Sequence, residues 1–567
     1  MILICAYHII SFSIWFYIAP KKIYYYNNFV FISTAIPAQQ VVQDMELLDT
    51  TLRDGAQCEG ITFSVEDKIN VVRQLDELGI RWIECGNPGS NPKDRIFFDQ
   101  LSSEPSLRHS GLVAFGATVR PSLSPEQDES LRILSDCPAD VKTIFGKSSV
   151  FHITEVLHCT PEENLRMIHD TITYLKQNGN TVWYDAEHFF DGYAENPEYA
   201  LKTLQTAEET GAARITLCDT NGGSLPENIA EVVTIVKKNV SVPLGIHTHN
   251  DCGLAVAAAV AAVRAGCTHV EGTIGGIGER CGNADLCTLI PLLTFKLNHA
   301  CLPDGCVQKL THSYRTVMEI INLTPFDRAP FVGHSAFAHK GGMHMDAMIK
   351  NNASYELFDP ELVGNQRRFL ISDQVGRAGI YARLGHILPD LNRDSPEIHQ
   401  VIDRLKQKEL EGYTYENADG SFALLALDTL NRRPRYFDVV DYHVLCNQTD
   451  PTRLGDGASS AQAYLKVRVN GQEGINAAEG DGPVNALDLA LRKTLSLFYP
   501  ALTKMHLNDF KVRVLNSLGT ASLVRVNIES SDGSHLWNTV GVSQDIIQAC
   551  LSALIDSVDY MLTYYNN

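Results

Sequence analysis

The segment LGIHTHND, Leu244 to Asp251, ends an apolar run with two histidines separated by one residue, and GGIGERCGN, Gly275 to Asn283, follows it. In an extended strand residues two apart point to the same side, so the imidazoles of His247 and His249 can converge on one ion while Thr248 faces away. Two neutral imidazoles need an anion beside them to hold a divalent ion well. LDTTLRDG, Leu48 to Gly55, supplies a carboxylate directly after another apolar run. This reading takes Asp54, His247 and His249 as ligands and leaves several positions open for a substrate.

Both segments belong to a regular alternation. Strand-like runs fall at Glu46 to Thr50, Arg81 to Cys85, Leu112 to Thr118, Val141 to Phe145, Thr181 to Asp185, Arg214 to Cys218, Pro243 to His247 and Thr268 to Thr273. Between the first two, Ser64 to Asp67 resembles a capping box, Ile69, Val72, Leu75 and Leu78 keep helical spacing, and Gly79 is a stop signal. Further helices are expected near Pro161, Pro197, Pro226 and Gly253. Eight such units make an α/β fold of the (β/α)8 TIM-barrel type.

Catalytic groups in that fold come from the carboxyl ends of strands. Arg53 and Asp54 follow the first strand, Glu84 ends the second, and Glu187 with His188 follows the fifth. Asp219 and Thr220 follow the sixth, His247 and His249 close the seventh, and Asn283 lies in the loop after the eighth. Any one of these alone could be a cap or a loop hydrogen bond. Their coincidence on one face points to an active site.

Composition excludes several classes. The net charge of −20 argues against a nucleic-acid surface, and 44% hydrophobic residues in 567 supply cores for two or three domains. The 14 cysteines are scattered with no CxxC pair, which argues against structural zinc or a disulfide framework and suits a reducing, cytoplasmic setting. Met1 to Pro20 is apolar and long enough to span a bilayer. Met45 stands directly before the first strand, so residues 1–44 read as an extended start or a disordered leader, and a membrane role is not expected.

The barrel is expected over residues 45–301, a mainly helical linker subdomain over 302–435, and a further domain over 436–567. The last portion carries an internal repeat. Ala463 to Asn470 leads into a helix from Pro483 to Leu497, and Ser522 to Glu529 with Trp537 to Val542 leads into a helix from Gln544 to Met561. Two such α+β units can pack as a pseudo-symmetric pair.

LDTTLRDGAQ (Leu48 to Gln57), IHTHNDCG (Ile246 to Gly253) and GIGERCGN (Gly276 to Asn283) together resemble the signatures of the Claisen-condensing α-isopropylmalate, homocitrate and citramalate synthases of the DRE-TIM metallolyase superfamily. The resemblance runs from Met45 to the end. YDAEHFFDGY (Tyr184 to Tyr193) and TIFGKS (Thr143 to Ser148) are most similar to the citramalate synthases.

The resemblance implies metal ligands at Asp54, His247, His249 and Asn283, catalytic residues at Arg53, Glu84 and Glu187, and substrate binding by Arg53, Asp185 and Thr220. The segment SAFAHKGGMH, Ser335 to His344, resembles one that reaches a partner subunit's barrel, which assigns a catalytic role to His344 and implies a homodimer. Tyr381 sits one place off a tyrosine of some relatives and is given no role. The cofactor implied is Mn²⁺ or Mg²⁺, with Zn²⁺ as an alternative, and the substrates are pyruvate and acetyl-CoA. The duplicated tail resembles a regulatory domain that binds a pathway end product, isoleucine in this case.

The ion would polarise the keto group, Arg53 would stabilise the developing alkoxide, and Glu187 with His344 would relay the proton from acetyl-CoA. The product that the resemblance implies is citramalate, in isoleucine biosynthesis. A 2-isopropylmalate synthase acting on 2-oxoisovalerate is the alternative substrate reading. A superfamily lyase generally lacks the duplicated tail, and a non-catalytic sensor would have lost Arg53, Asp54 or a histidine. The glycine-rich loop lacks the Lys-Ser/Thr ending of a P-loop and reads as a tight turn presenting Glu279 and Asn283. Two histidines and one carboxylate also suit a non-haem iron oxygenase, but eight βα units speak against it.

Overall fold

A computed structural model describes residues 24–26, 29–31, 43–103, 106–370, 377–385, 387–388, 390–392, 395–447, 460–515, 522–533 and 535–565. Most of the segment read as a leader lies outside these residues; within it Tyr24–Tyr26 and Phe29–Phe31 pair antiparallel. The chain forms two compact units, Met1–Lys309 with Ser313–Thr324, and Leu310–His312 with Pro325–Asn567.

The first unit is built on eight parallel strands, β1 (Glu46–Asp49), β2 (Trp82–Glu84), β3 (Gly111–Ala117), β4 (Val141–Lys147), β5 (Thr181–Glu187), β6 (Arg214–Asp219), β7 (Leu244–Thr248) and β8 (His269–Gly272). They close into a barrel, with β8 paired back onto β1 from His269↔Glu46 to Gly272↔Asp49. Each expected strand is present within two residues of its expected ends.

Helix α1 (Val65–Leu78) shows why the alternation holds. Ser64 Oγ accepts from the Asp67 N–H and the Asp67 carboxylate accepts from the Ser64 N–H, so two orphan donors are satisfied at once. Gly79 ends the helix at φ 87°, a left-handed conformation that glycine adopts at no steric cost. Ile69, Val72, Leu75 and Leu78 are buried on the barrel side. Proline stands at the first position of α2 (Pro92–Leu101), α4 (Pro161–Gln177), α6 (Pro197–Thr210) and α7 (Pro226–Asn239), where its missing N–H costs nothing. Helices α3 (Glu129–Asp136), α5 (Phe189–Glu195) and α8 (Ala255–Ala265) complete the series.

β4 and β5 run two residues further than expected, so Lys147 and Glu187 end adjacent strands in direct register. That extension matters at the mouth, where the two side chains form an ion pair.

In the second unit, α9 (Gly342–Lys350), α10 (Arg377–Leu384), α11 (Pro396–Leu410) and α12 (Asp419–Thr429) precede two similar modules. The first has antiparallel strands β9 (Asp438–Asn447), β10 (Ser460–Val469) and β11 (Gln472–Gly480) followed by α13 (Pro483–Leu495). The second has β12 (His506–Val514), β13 (Val524–Ser531) and β14 (Leu536–Ser543) followed by α14 (Ile546–Tyr564). The repeat expected from sequence is therefore a duplicated three-strand and helix unit, and Leu465, Leu491, Ile528 and Leu554 share one core.

Helix α14 is the one described helix long and apolar enough to cross a membrane, and 56% of its apolar window is buried inside the protein. None of the described cysteines is in a disulfide.

Candidate active site

The chain after β1 coils so tightly that the N–H groups of Arg53, Asp54 and Gly55 all donate to the Thr50 carbonyl. Both functional side chains are thereby aimed into the barrel mouth. Arg53 Nε donates to Glu84 Oε2 at 2.6 Å, its Nη1 donates to Asp54 Oδ2 at 2.9 Å, and its guanidinium lies 4.0 Å over the Phe115 ring. Burial opposes the Arg53 charge, but Glu84 and Asp54 outweigh it and drive its pKa further up. Arg53 is a permanent cation held from two sides.

His247 Nε2 lies 3.3 Å from His249 Nε2 and 3.4 Å from Asp54 Oδ2, with His249 Nε2 3.9 Å from that same oxygen. Burial raises the Asp54 carboxyl, yet Arg53 first and then both imidazoles hold it at about 2. Burial, with His247 adding, lowers His249 to about 4. One donor atom from each of the three residues falls within 4.8 Å of the others.

Asn283 Nδ2 donates to Asp54 Oδ1 at 3.0 Å, while its buried Oδ1 has no hydrogen-bond partner among the described residues. Two imidazoles, a carboxylate and a free amide oxygen form a donor set that fits a divalent cation. The loop carrying Asn283 depends on its glycines. A Cβ at Gly282 would stand 1.9 Å from the Gly276 carbonyl oxygen, and one at Gly278 would stand 2.2 Å from Asn283 Nδ2. This is the tight turn expected from the sequence.

The cavity at this mouth is about 200 Å³ and is lined by Arg53, Asp54, Asp185, Thr220, His247 and His249 among others. Glu187 also lines it, paired with Lys147. Thr220 Oγ1 accepts from the His188 N–H at 2.9 Å, so its own hydroxyl hydrogen is left to donate. Burial, with Glu271 and Glu84 adding, drives the Asp185 carboxyl well above its ordinary range. Glu84 reaches the site through Arg53 and Asn283 through Asp54. His344 belongs to the second unit, where its ring stacks on Tyr355 at 3.9 Å. Tyr381, on α10, is exposed.

Several groups at the site were not singled out from sequence. Phe115 and Phe145 stack at 5.1 Å and give the cavity an apolar wall. Arg280 donates to both Asp251 oxygens at 2.9 Å and to the Thr220 carbonyl at 2.7 Å, tying the loops after β6, β7 and β8 together. Glu271 Oε2 lies 3.2 Å from His247 Nδ1. His269 and Glu271, two apart in a strand whose four residues are all buried, are the sequence signal that could have found it.

The HMGL-like family profile matches residues 44–310, the homocitrate synthase post-HMGL domain-like profile 331–412, and the LeuA allosteric (dimerisation) domain profile 416–562. The (R)-citramalate synthase of Geobacter sulfurreducens is 47% identical over 91% of this chain and 97% of its own length. That of Synechocystis sp. is 47% identical over 91% and 96%. The enzyme of Aquifex aeolicus is 45% identical over 92% and 98%. With likeness of this extent running through both the barrel mouth and the duplicated tail, the chain belongs to the (R)-citramalate synthase family.

Proposed function

We propose that the chain condenses pyruvate with acetyl-CoA and hydrolyses the thioester, giving (R)-citramalate and CoA for isoleucine biosynthesis. The observation that carries this reading is the convergence of Asp54, His247 and His249 beside a fixed Arg53 in a small cavity at the barrel mouth. A divalent cation, Mn²⁺ or Mg²⁺, held by these three with Asn283 would supply Lewis-acid polarisation of the keto group.

The protein's own groups divide the remaining work. Arg53 presents N–H donors where negative charge develops on the keto oxygen, and Glu84 keeps the guanidinium from turning away. Thr220 donates its free hydroxyl hydrogen to the substrate carboxylate, and Asp185 lines the same wall. Phe115 and Phe145 offer an apolar surface suited to a methyl group. Glu187 takes the proton from the acetyl methyl, with His344 as the second group of the relay. Lys147 fixes the Glu187 carboxylate. The carbanion then adds to the keto carbon, and water cleaves the thioester.

The division into a barrel to residue 301, a linker to residue 435 and a regulatory domain thereafter belongs to the same reading. So do a homodimer, an isoleucine effector on the duplicated domain and a cytoplasmic setting suited to free thiols. The test is to offer pyruvate, 2-oxoisovalerate and 2-oxoglutarate separately, with acetyl-CoA and Mn²⁺ or Mg²⁺, while thiol release is followed. Release with pyruvate is expected; activity on 2-oxoisovalerate alone would replace the substrate.

A further inference from the structure

Below the mouth, the barrel interior holds a column of polar side chains that is buried at its centre and reaches solvent at Glu46. Arg214 Nη1 and His269 Nδ1 are 3.0 Å apart, and Arg214 also pairs with Glu46. His269 Nε2 lies 3.4 Å from Glu271 Oε1, which accepts from Thr216 Oγ1 at 2.8 Å. Glu271 Oε2 lies 3.2 Å from His247 Nδ1, and neither atom has a hydrogen-bond partner among the described residues, so each is the nearest polar group the other can use. Thr216, His269 and Glu271 are all at most 1% exposed.

The space for this column is set by Gly245, paired in register with both Thr216 and His269. A Cβ there would stand 2.8 Å from the His269 ring and 2.8 Å from Thr216 Oγ1.

The donor and acceptor roles along the column are determined from one end. Arg214 can only donate, so His269 Nδ1 is the acceptor and the ring carries its hydrogen on Nε2. That hydrogen faces Glu271 Oε1 across 3.4 Å, and the Thr216 hydroxyl donates to the same oxygen. Oε2 is left to accept from His247 Nδ1–H, which turns the bare Nε2 of His247 toward Asp54 and His249.

We propose that Glu271 is a positioning residue for metal binding: with Arg214, His269 and Thr216 it fixes His247 as the Nδ1–H tautomer whose Nε2 lone pair faces the cation. Such partners of a metal-ligating histidine orient the ring, and losing one typically costs about 10–100-fold in affinity. In Glu271→Gln the amide oxygen meets the two donors and the NH2 group faces His247 Nδ1. The ring then has to move its hydrogen to Nε2, directly into the cation's place.

The inference rests on His247 being a metal ligand, and the two readings fail separately. Selective ¹⁵N-histidine NMR on the metal-free full chain at pH 8.5, with His247 and His269 assigned from substitutions, reads the tautomers directly. The expected result is Nδ1–H at His247 and Nε2–H at His269, with His247 switching to Nε2–H in Glu271→Gln. Calorimetry with Mn²⁺ is expected to show about 10–100-fold weaker binding by that variant. His247 carrying its hydrogen on Nε2 in the unaltered protein overturns the inference even if Glu271→Gln does not fold. So does a folded Glu271→Gln that binds Mn²⁺ as tightly as the unaltered chain. An unaltered chain that shows the expected tautomers but binds no Mn²⁺ overturns the metal-ligand reading and the metal-binding role of Glu271 with it.

Discussion

His247 and His249 present their Nε2 atoms to each other across 3.3 Å, with the Asp54 carboxylate alongside. Neutral imidazole nitrogens at that separation oppose their lone pairs unless a proton or cation lies between them. Burial lowers His249 to about 4, so that ring is neutral at neutral pH, and Asp54, held near 2, stays ionised. The carboxylate and the two Nε2 atoms together offer a divalent cation three donors.

The Glu187 carboxylate is the proposed base, separate from the proposed metal ligands. Glu187→Gln is expected to lower kcat by about 10²–10⁴-fold, the usual contribution of a positioned general base, with Mn²⁺ affinity unchanged. Steady-state thiol release and calorimetry on the same preparation check this. A variant with near-full kcat assigns proton abstraction to another group.

Lys68 is buried in the first unit, donating to the Cys85 carbonyl at 2.7 Å and to Asp94 Oδ1 at 2.6 Å. Lys68→Met leaves the buried Asp94 carboxylate without its cation and is expected to cost about 3–5 kcal/mol. Denaturant unfolding measures this, and a cost within about 0.5 kcal/mol would place the pair among contacts of no consequence.

Asp76 gives the fold an acid-sensitive point. Burial raises its pKa, but N–H donors from Arg108, His109 and Ser110 outweigh that and hold it below its ordinary value. The folded chain therefore binds fewer protons than the unfolded one. The stabilisation is complete above an unfolded value of about 3.9 and is lost as pH falls through that value toward the lower folded one. Asp76→Asn is expected to cost about 1 kcal/mol at pH 7, modest because the group is part-exposed, and progressively less below pH ~4. Thermal unfolding of both proteins from pH 7 to pH 3 reads this, and a gap that widens on acidification contradicts it.

The duplicated domain is the proposed seat of the effector. Isoleucine, and not leucine, is expected to slow turnover, with a coupling in the usual range of about 5–150-fold in substrate affinity. A thiol-release rate indifferent to isoleucine removes that assignment.

The fold was legible because the barrel's determinants are local. Pro at N1, Ser64 with Asp67, and Gly79 punctuate helices whose apolar spacing agrees with the burial. The convergence of three side chains was legible for the same reason: His247 and His249 are two apart at a strand end, and Asp54 ends its own segment. What the sequence concealed is what only closure of the barrel creates. Glu271 and His269 meet Thr216 and Arg214 across strand neighbours far apart in the chain, and the Lys147–Glu187 pair required two strands to run on in register. Arg280 reaches Asp251 and Thr220 only because three loops converge.

The central claim is that Asp54, His247 and His249 hold one divalent cation. Crystals grown with Mn²⁺, measured at the manganese absorption edge, test it most directly. The account predicts one strong anomalous peak in the barrel mouth, bonded to an Asp54 oxygen and to Nε2 of both histidines. A peak elsewhere, or none there at saturating Mn²⁺, would contradict it.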